Sequence, residues 1–100
     1  MNISFQSINY NADNKLIEFS EKRIKKISQF YFNIIDVFIY TKFENTSDRV
    51  NKFAELKIVI PGDEVVVKKQ AKTFEKAINL ASRVAERILK KRKNKQQLFN

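Results

Sequence analysis

The sequence predicts an α+β fold: a two-layer sandwich in the order β-α-β-β-β-α, with a four-stranded mixed sheet and both helices on one face. Three observations carry that expectation. Four stretches alternate at period two or are dense in strand formers, and two longer ones place apolar residues at helical spacing. The only Pro and the only Gly stand together as Pro61-Gly62 between two strand-like runs. A chain of 100 residues with 43% hydrophobic content is large enough for one core and too small for a second.

Residues 2–7 put Ile3 and Phe5 on one side and Asn2, Ser4 and Gln6 on the other, the pattern of a short strand. Asn11-Ala12-Asp13-Asn14 supplies short side-chain oxygens that accept the free amides of a helix start. From Lys15 the period changes. Leu16, Ile17, Ile24, Ile27 and Tyr31 share one helical face, while Glu18, Glu21, Lys22, Lys25 and Gln29 share the other. Residues 34–43 are β-branched and aromatic, which suits a strand and not a second helix. Asn45-Thr46-Ser47-Asp48 reads as a loop. Ala54, Leu56, Ile58 and Ile60 then alternate with Glu55 and Lys57. Pro presets the first central position of a type II turn and Gly accepts positive φ at the second, so Pro61-Gly62 joins this strand to Val65-Val66-Val67 as a hairpin. The first crossover is long enough for parallel pairing and is expected to be right-handed, and the later strands form an antiparallel meander. The last helix is expected from Thr73 to about Lys93. Residues 1–95 form a single domain on this reading. Residues 96–100 form a frayed tail, with Leu98 and Phe99 unusually apolar for one.

The formal net charge is +9, from 20 Lys+Arg and 11 Asp+Glu. Residues 1–67 hold nine residues of each sign, whereas residues 68–100 hold eleven basic residues against Glu75 and Glu86 alone. The last third therefore carries the whole net charge, and a block of one sign attracts polyanions. Other classes drop out on composition. The chain has no His and no Cys, which removes disulfides, thiol nucleophiles, Ser-His-Asp triads and almost every zinc site. One Gly cannot build a Gly-rich phosphate loop. The acids Asp36, Glu44, Asp48 and Glu55 are spread out, with no paired acid/base signature, so no enzymatic activity is expected. No apolar leader or membrane-length apolar run is present, and a cytoplasmic, soluble binding domain without a cofactor is the expectation.

The charge in the last helix is sorted by face. At about 100° per residue, Lys72, Lys76, Asn79, Arg83, Arg87, Lys90 and Asn94 fall within about 80° of one another. Phe74, Ala77, Ile78, Ala81, Val84, Ala85, Ile88 and Leu89 fall roughly opposite. Lys91, Arg92, Lys93 and Lys95 continue the charge around all sides. Aligned like charges cost a helix a few tenths of a kcal/mol per pair, and one sign along one stripe suits a phosphate backbone. A membrane surface would need the apolar face free to insert, and the sheet needs that face. Two further features have bland alternatives. Phe38 and Tyr40 alternate on one side of a strand and can stack bases or simply fill a strand. Lys22, Arg23, Lys25 and Lys26 form a second basic cluster, which Glu18 and Glu21 can partly offset at i,i+4.

The element order, the segment Thr73 to Ile78 (TFEKAI) and the basic run Lys90 to Lys95 (KKRKNK) together resemble the bacterial ribosome hibernation-promoting factors, also called ribosome-associated inhibitor or protein Y. The resemblance covers almost the whole chain. Phe74, Ala77 and Ile78 match the opening of the family's last helix, with Asn79 where Asp is usual. Arg87 and Leu89 match its later pattern, and Val84, Ala85 and Ile88 do not. Glu18 to Tyr31 is similar to the family's first-helix pattern and places Arg23 and Lys26 at its recurring basic positions.

That resemblance implies a ribosome hibernation factor. It would bind small-subunit rRNA in the mRNA/tRNA channel, inhibit translation in resting cells, and exist as a monomer off the ribosome with no small-molecule substrate. The chain looks like a short family member, without the domain that pairs two ribosomes in long ones. The expected rRNA contacts are Lys76, Arg83, Arg87, Lys90, Lys91 and Lys93 on the last helix, with Arg23 and Lys26 as the other wall of a basic cleft. The alternatives are a general double-stranded RNA-binding protein and a structural ribosomal protein.

Overall fold

The computed structural model describes the backbone of residues 1–31, 33–45 and 50–99, and the side chains of residues 1–31, 33–45 and 51–93. The elements follow in the expected order: β1 (Asn2–Ser7), α1 (Asn14–Ser28), β2 (Asp36–Asn45), β3 (Val50–Ile60), β4 (Asp63–Ala71) and α2 (Phe74–Phe99). The loop expected at residues 45–48 falls mostly outside the described residues.

The sheet runs β1-β2-β3-β4. β1 pairs parallel to β2, with Ile3 opposite Val37 and Phe5 opposite Ile39. β2–β3 and β3–β4 are antiparallel, which makes the sheet mixed. Gly62 closes the β3–β4 hairpin at φ +76°, the value that the second central position of a type II turn requires. The hairpin strands extend beyond the apolar runs that marked them. Glu55 pairs with Lys68 and Phe53 with Gln70, so polar residues on the open face of a ladder continue a strand that hydrophobicity alone ends early.

Asp13 caps α1, its Oδ1 accepting from the Leu16 amide at 2.8 Å. Thr73 does the same for α2, accepting from the Lys76 amide at 3.1 Å. The buried stripe of α1 is Leu16, Ser20, Ile24 and Ile27. Ser20 is tolerated there because its hydroxyl donates to the Leu16 carbonyl at 2.8 Å. In α2, Ala77, Ala81 and Ala85 recur every fourth residue and are fully buried. Their small side chains let the helix lie close on the sheet. Ile24, Ile27, Ala81, Ala85 and Leu89 share one core with Val37, Ile39, Leu56, Ile58, Val65 and Val67, so both helices cover the same sheet face.

Two features were not foreseen from the sequence. The last helix runs through Phe99, past the end expected near Lys93 and into the segment expected to fray. No Gly or Pro follows Gly62, and Lys, Arg, Gln and Leu are good helix formers, so nothing local stops it. The β1–α1 connection is held by an aromatic knot. Tyr10 stacks on Phe74 with centroids 4.9 Å apart, and Phe43 meets both rings edge-on at 5.1 Å. The Tyr10 hydroxyl hydrogen-bonds the buried Thr41 hydroxyl at 2.6 Å, and burial pushes its phenol above the usual tyrosine value. Asn9 enters this turn at φ +60°, a conformation Asn tolerates.

Candidate nucleic-acid interface

Sheet directions fix how the helices meet. β1, β2 and β4 point the same way, so the helix that follows β1 and the helix that follows β4 return in parallel. Cross-helix contacts agree, since Arg23 meets Asn79 and Glu86 while Phe30 meets Lys90 and Lys93 farther along. The C-terminal ends of α1 and α2 therefore lie at one end of the molecule. Lys25 and Lys26 in the last turn of α1 lie toward the same end as Lys90, Lys91 and Lys93 of α2. Lys25 and Lys26 also offset the negative end of the α1 dipole.

The eight expected site residues divide into two kinds. Lys26, Lys76, Arg83, Arg87 and Lys91 are exposed, and none has a side-chain hydrogen bond, ion pair or ring contact among the described residues. Arg83, Arg87 and Lys91 are spaced by four, so they form a ridge about 12 Å long. Beside the ridge, Val84 and Ile88 with Arg87 and Lys91 line a shallow hollow of about 230 Å³.

The other three are engaged within the protein. Arg23 lies in the seam between the helices, donating through Nε to Asn79 Oδ1 at 2.9 Å and through a terminal nitrogen to Glu86. Its side chain is 14% exposed and that of Glu86 23%, so this is a largely desolvated tie between helices whose charge is already compensated. Lys93 donates to the Phe30 carbonyl at 2.9 Å, covering an acceptor just past the end of α1. Lys90 is exposed but sits 5.3 Å from the Phe30 ring centroid as a cation–π partner. Arg92, which the helical wheel places on the apolar line, pairs with Asp63 at 2.5 Å and fastens α2 to the β3–β4 hairpin. That hydrogen bond holds the Asp63 carboxyl below its usual value. Sequence reasoning missed Glu86 as a partner for Arg23. The available signal was that Glu86 is one of only two acids in the last third and falls seven residues after Asn79.

The opposite sheet face is balanced in charge. Lys57 lies 3.4 Å from Glu64 and Lys68 3.8 Å from Glu55. Phe38 and Tyr40 stack on each other at 6.5 Å, with Lys57 over Phe38 and Lys42 over Phe53. The aromatic pair therefore already has ring and cation partners. Unopposed positive charge lies in the helical layer.

Among the described residues no group of three or more acidic side chains is placed to hold a metal ion, and no helix is long and apolar enough to cross a membrane. Residues 3–97 match the family described as sigma 54 modulation protein / S30EA ribosomal protein. The chain belongs to this family. The S30EA match covers nearly the whole sequence and bears out the resemblance carried by TFEKAI and the two basic helices. The fold recurs in solved structures. A ribosomal subunit interface protein from Coxiella burnetii aligns with a TM-score of 0.83 at 19% identity, covering 94% of this chain and 99% of that one. The N-terminal domain of Thermus thermophilus protein Y aligns with a TM-score of 0.79 at 18% identity, covering 91% of this chain and 98% of that domain. No curated protein sequence matches the chain. As a member of the S30EA family, it is a ribosome-associated protein.

Proposed function

We propose that this protein is a cytoplasmic, non-enzymatic ribosome hibernation factor. It binds small-subunit rRNA in the channel used by mRNA and tRNA and thereby inhibits translation in resting cells. The observation that carries the reading is the ridge of unpaired cations Arg83, Arg87 and Lys91 on a member of a ribosome-associated family. Lys76 extends the ridge toward the start of α2, and Lys26 lies across the seam on α1. Phosphates released from their counterions onto these side chains supply the affinity. Arg23 and Lys93 act differently from the ridge. They tie α1 to α2, holding the two cationic surfaces at a fixed separation so that one RNA path runs between them. The relatives agree in kind, one being called a ribosomal subunit interface protein.

Sucrose-gradient sedimentation with purified subunits tests this. The protein should travel with small subunits, prefer them to generic duplex RNA at equal phosphate concentration, and reduce translation in a reconstituted system. Equal affinity for duplex RNA would favour a general double-stranded RNA binder. Stoichiometric presence in ribosomes of growing cells would favour a structural ribosomal protein.

A further inference from the structure

We infer that Phe19 is a stacking platform for one unpaired RNA base, with Lys22 and Lys26 holding the adjoining phosphates. This rests on the RNA-binding reading above and assigns it a contact with a base rather than a phosphate. Phe19 lies on α1 outside the buried stripe and is 36% exposed. With Lys22, Arg23 and Lys26 it lines an open groove of about 230 Å³. Residues three, four and seven positions apart share one side of a helix, so the ring and these cations form one patch.

Among the described residues every other part-exposed ring has a ring or cation partner except Phe5, which packs against the core. Phe38 and Tyr40 have each other, Phe53 has Lys42, Phe43 has Tyr10 and Lys52, and Phe30 has Lys90. Phe19 has neither a ring nor a cation partner among the described residues. Its groove is also asymmetric in charge. The Arg23 guanidinium is held by Asn79 and Glu86, so its aliphatic stem forms a wall while its charge points into the seam. Lys22 and Lys26 are exposed and have no partner among the described residues. An apolar ring face bordered by two free ammonium groups matches a nucleotide, which offers a flat base and an anionic backbone together. A paired duplex keeps its bases stacked on one another, so the groove fits a looped, bulged or single-stranded nucleotide.

The chain has no Trp, so Phe19→Trp introduces a single indole at the site. Titration with oligoadenylate should quench its emission, and a blunt-ended RNA duplex at equal phosphate concentration should quench it much less. Phe19→Ala and Phe19→Leu should weaken oligoadenylate binding at least about fivefold, with the salt slope unchanged because no charge is removed. Binding by both variants equal to the wild type, or equal quenching by duplex and single strand, would overturn the assignment. Small-subunit sedimentation separates the two readings. Loss of subunit binding by the wild type sinks the hibernation proposal, while the oligoadenylate titration still decides Phe19.

Discussion

Replacing Arg83, Arg87 and Lys91 together with Gln tests whether the α2 ridge holds phosphates. All three are exposed and unpartnered among the described residues, so the change leaves the core and the interhelical ties untouched. Surface changes of this kind move stability by about 0.5 kcal/mol or less each. The effect on RNA binding is of another order. Each neutralised phosphate contributes about 0.7–0.9 to the slope of log affinity against log salt, so three contacts carry about 2.1–2.7. Between about 50 and 200 mM salt, a fourfold range, that slope corresponds to a factor of about 20–40 in affinity. The wild type should therefore lose about 20–40 times more affinity for small subunits across that range than the triple variant. Filter binding or fluorescence anisotropy at four or more salt concentrations reads the slope directly. A folded triple variant with the wild-type slope would refute the placement of the ridge against phosphate.

Further variants separate the structural cations and the interior from the interface. Glu86→Leu leaves the Arg23 guanidinium largely desolvated with only Asn79 as acceptor. Full burial would cost about 3–5 kcal/mol, and the partial exposure here lowers the expected loss to about 1–3 kcal/mol in urea unfolding. The double variant Arg23→Met, Glu86→Leu should recover most of it, and a Glu86→Leu protein as stable as wild type would rule out the tie. Ser82 Oγ is buried without a hydrogen-bond partner among the described residues, so Ser82→Ala should raise stability by about 1 kcal/mol; a lower unfolding midpoint would disprove this. The raised Tyr10 value sets an alkaline dependence. Above about pH 10, the ordinary tyrosine value, the unfolded phenol ionises while the folded one keeps its proton, so the native state binds more protons and stability falls as pH rises. Tyr10→Phe should show a flatter alkaline limb in thermal melts, and identical limbs would contradict the assignment.

Much of the fold was legible because the deciding signals are local. Alternation at Val37, Ile39, Leu56 and Ile58 marks inward positions wherever the strand pairs, and these residues are buried. Pro61-Gly62 marks a hairpin because only Gly takes φ +76° without strain. Asp13 caps its own helix through an amide three residues away. The division of labour among cations was not legible, because it depends on which helix faces travel together. Arg23, Lys26 and Arg87 look alike in sequence. Parallel helices bring Arg23 to Glu86, 63 residues away, and leave Arg87, the next residue, in solvent. Lys93 and Arg92 are likewise adjacent in a basic run, yet one reaches back to the Phe30 carbonyl and the other across to Asp63. A helical wheel assigns each residue to a face and carries no information about the neighbour that face meets.

The balanced sheet face beneath the charged helical layer makes the molecule an oriented electric body. Lys57 and Lys68 on that face are matched locally by Glu64 and Glu55, while the cationic ridge sits on the helices. A particle built this way experiences a torque as well as a pull in the field of a polyanion. It turns its helical layer toward the target before contact, which raises the fraction of encounters that arrive in a productive pose. Seated on RNA as proposed, it would present the aromatic–lysine sheet to the outside, where the Lys57–Glu64 and Lys68–Glu55 pairs leave little attraction for a second RNA. On the proposed function, the asymmetry that speeds arrival also disfavours a second polyanion on the same molecule.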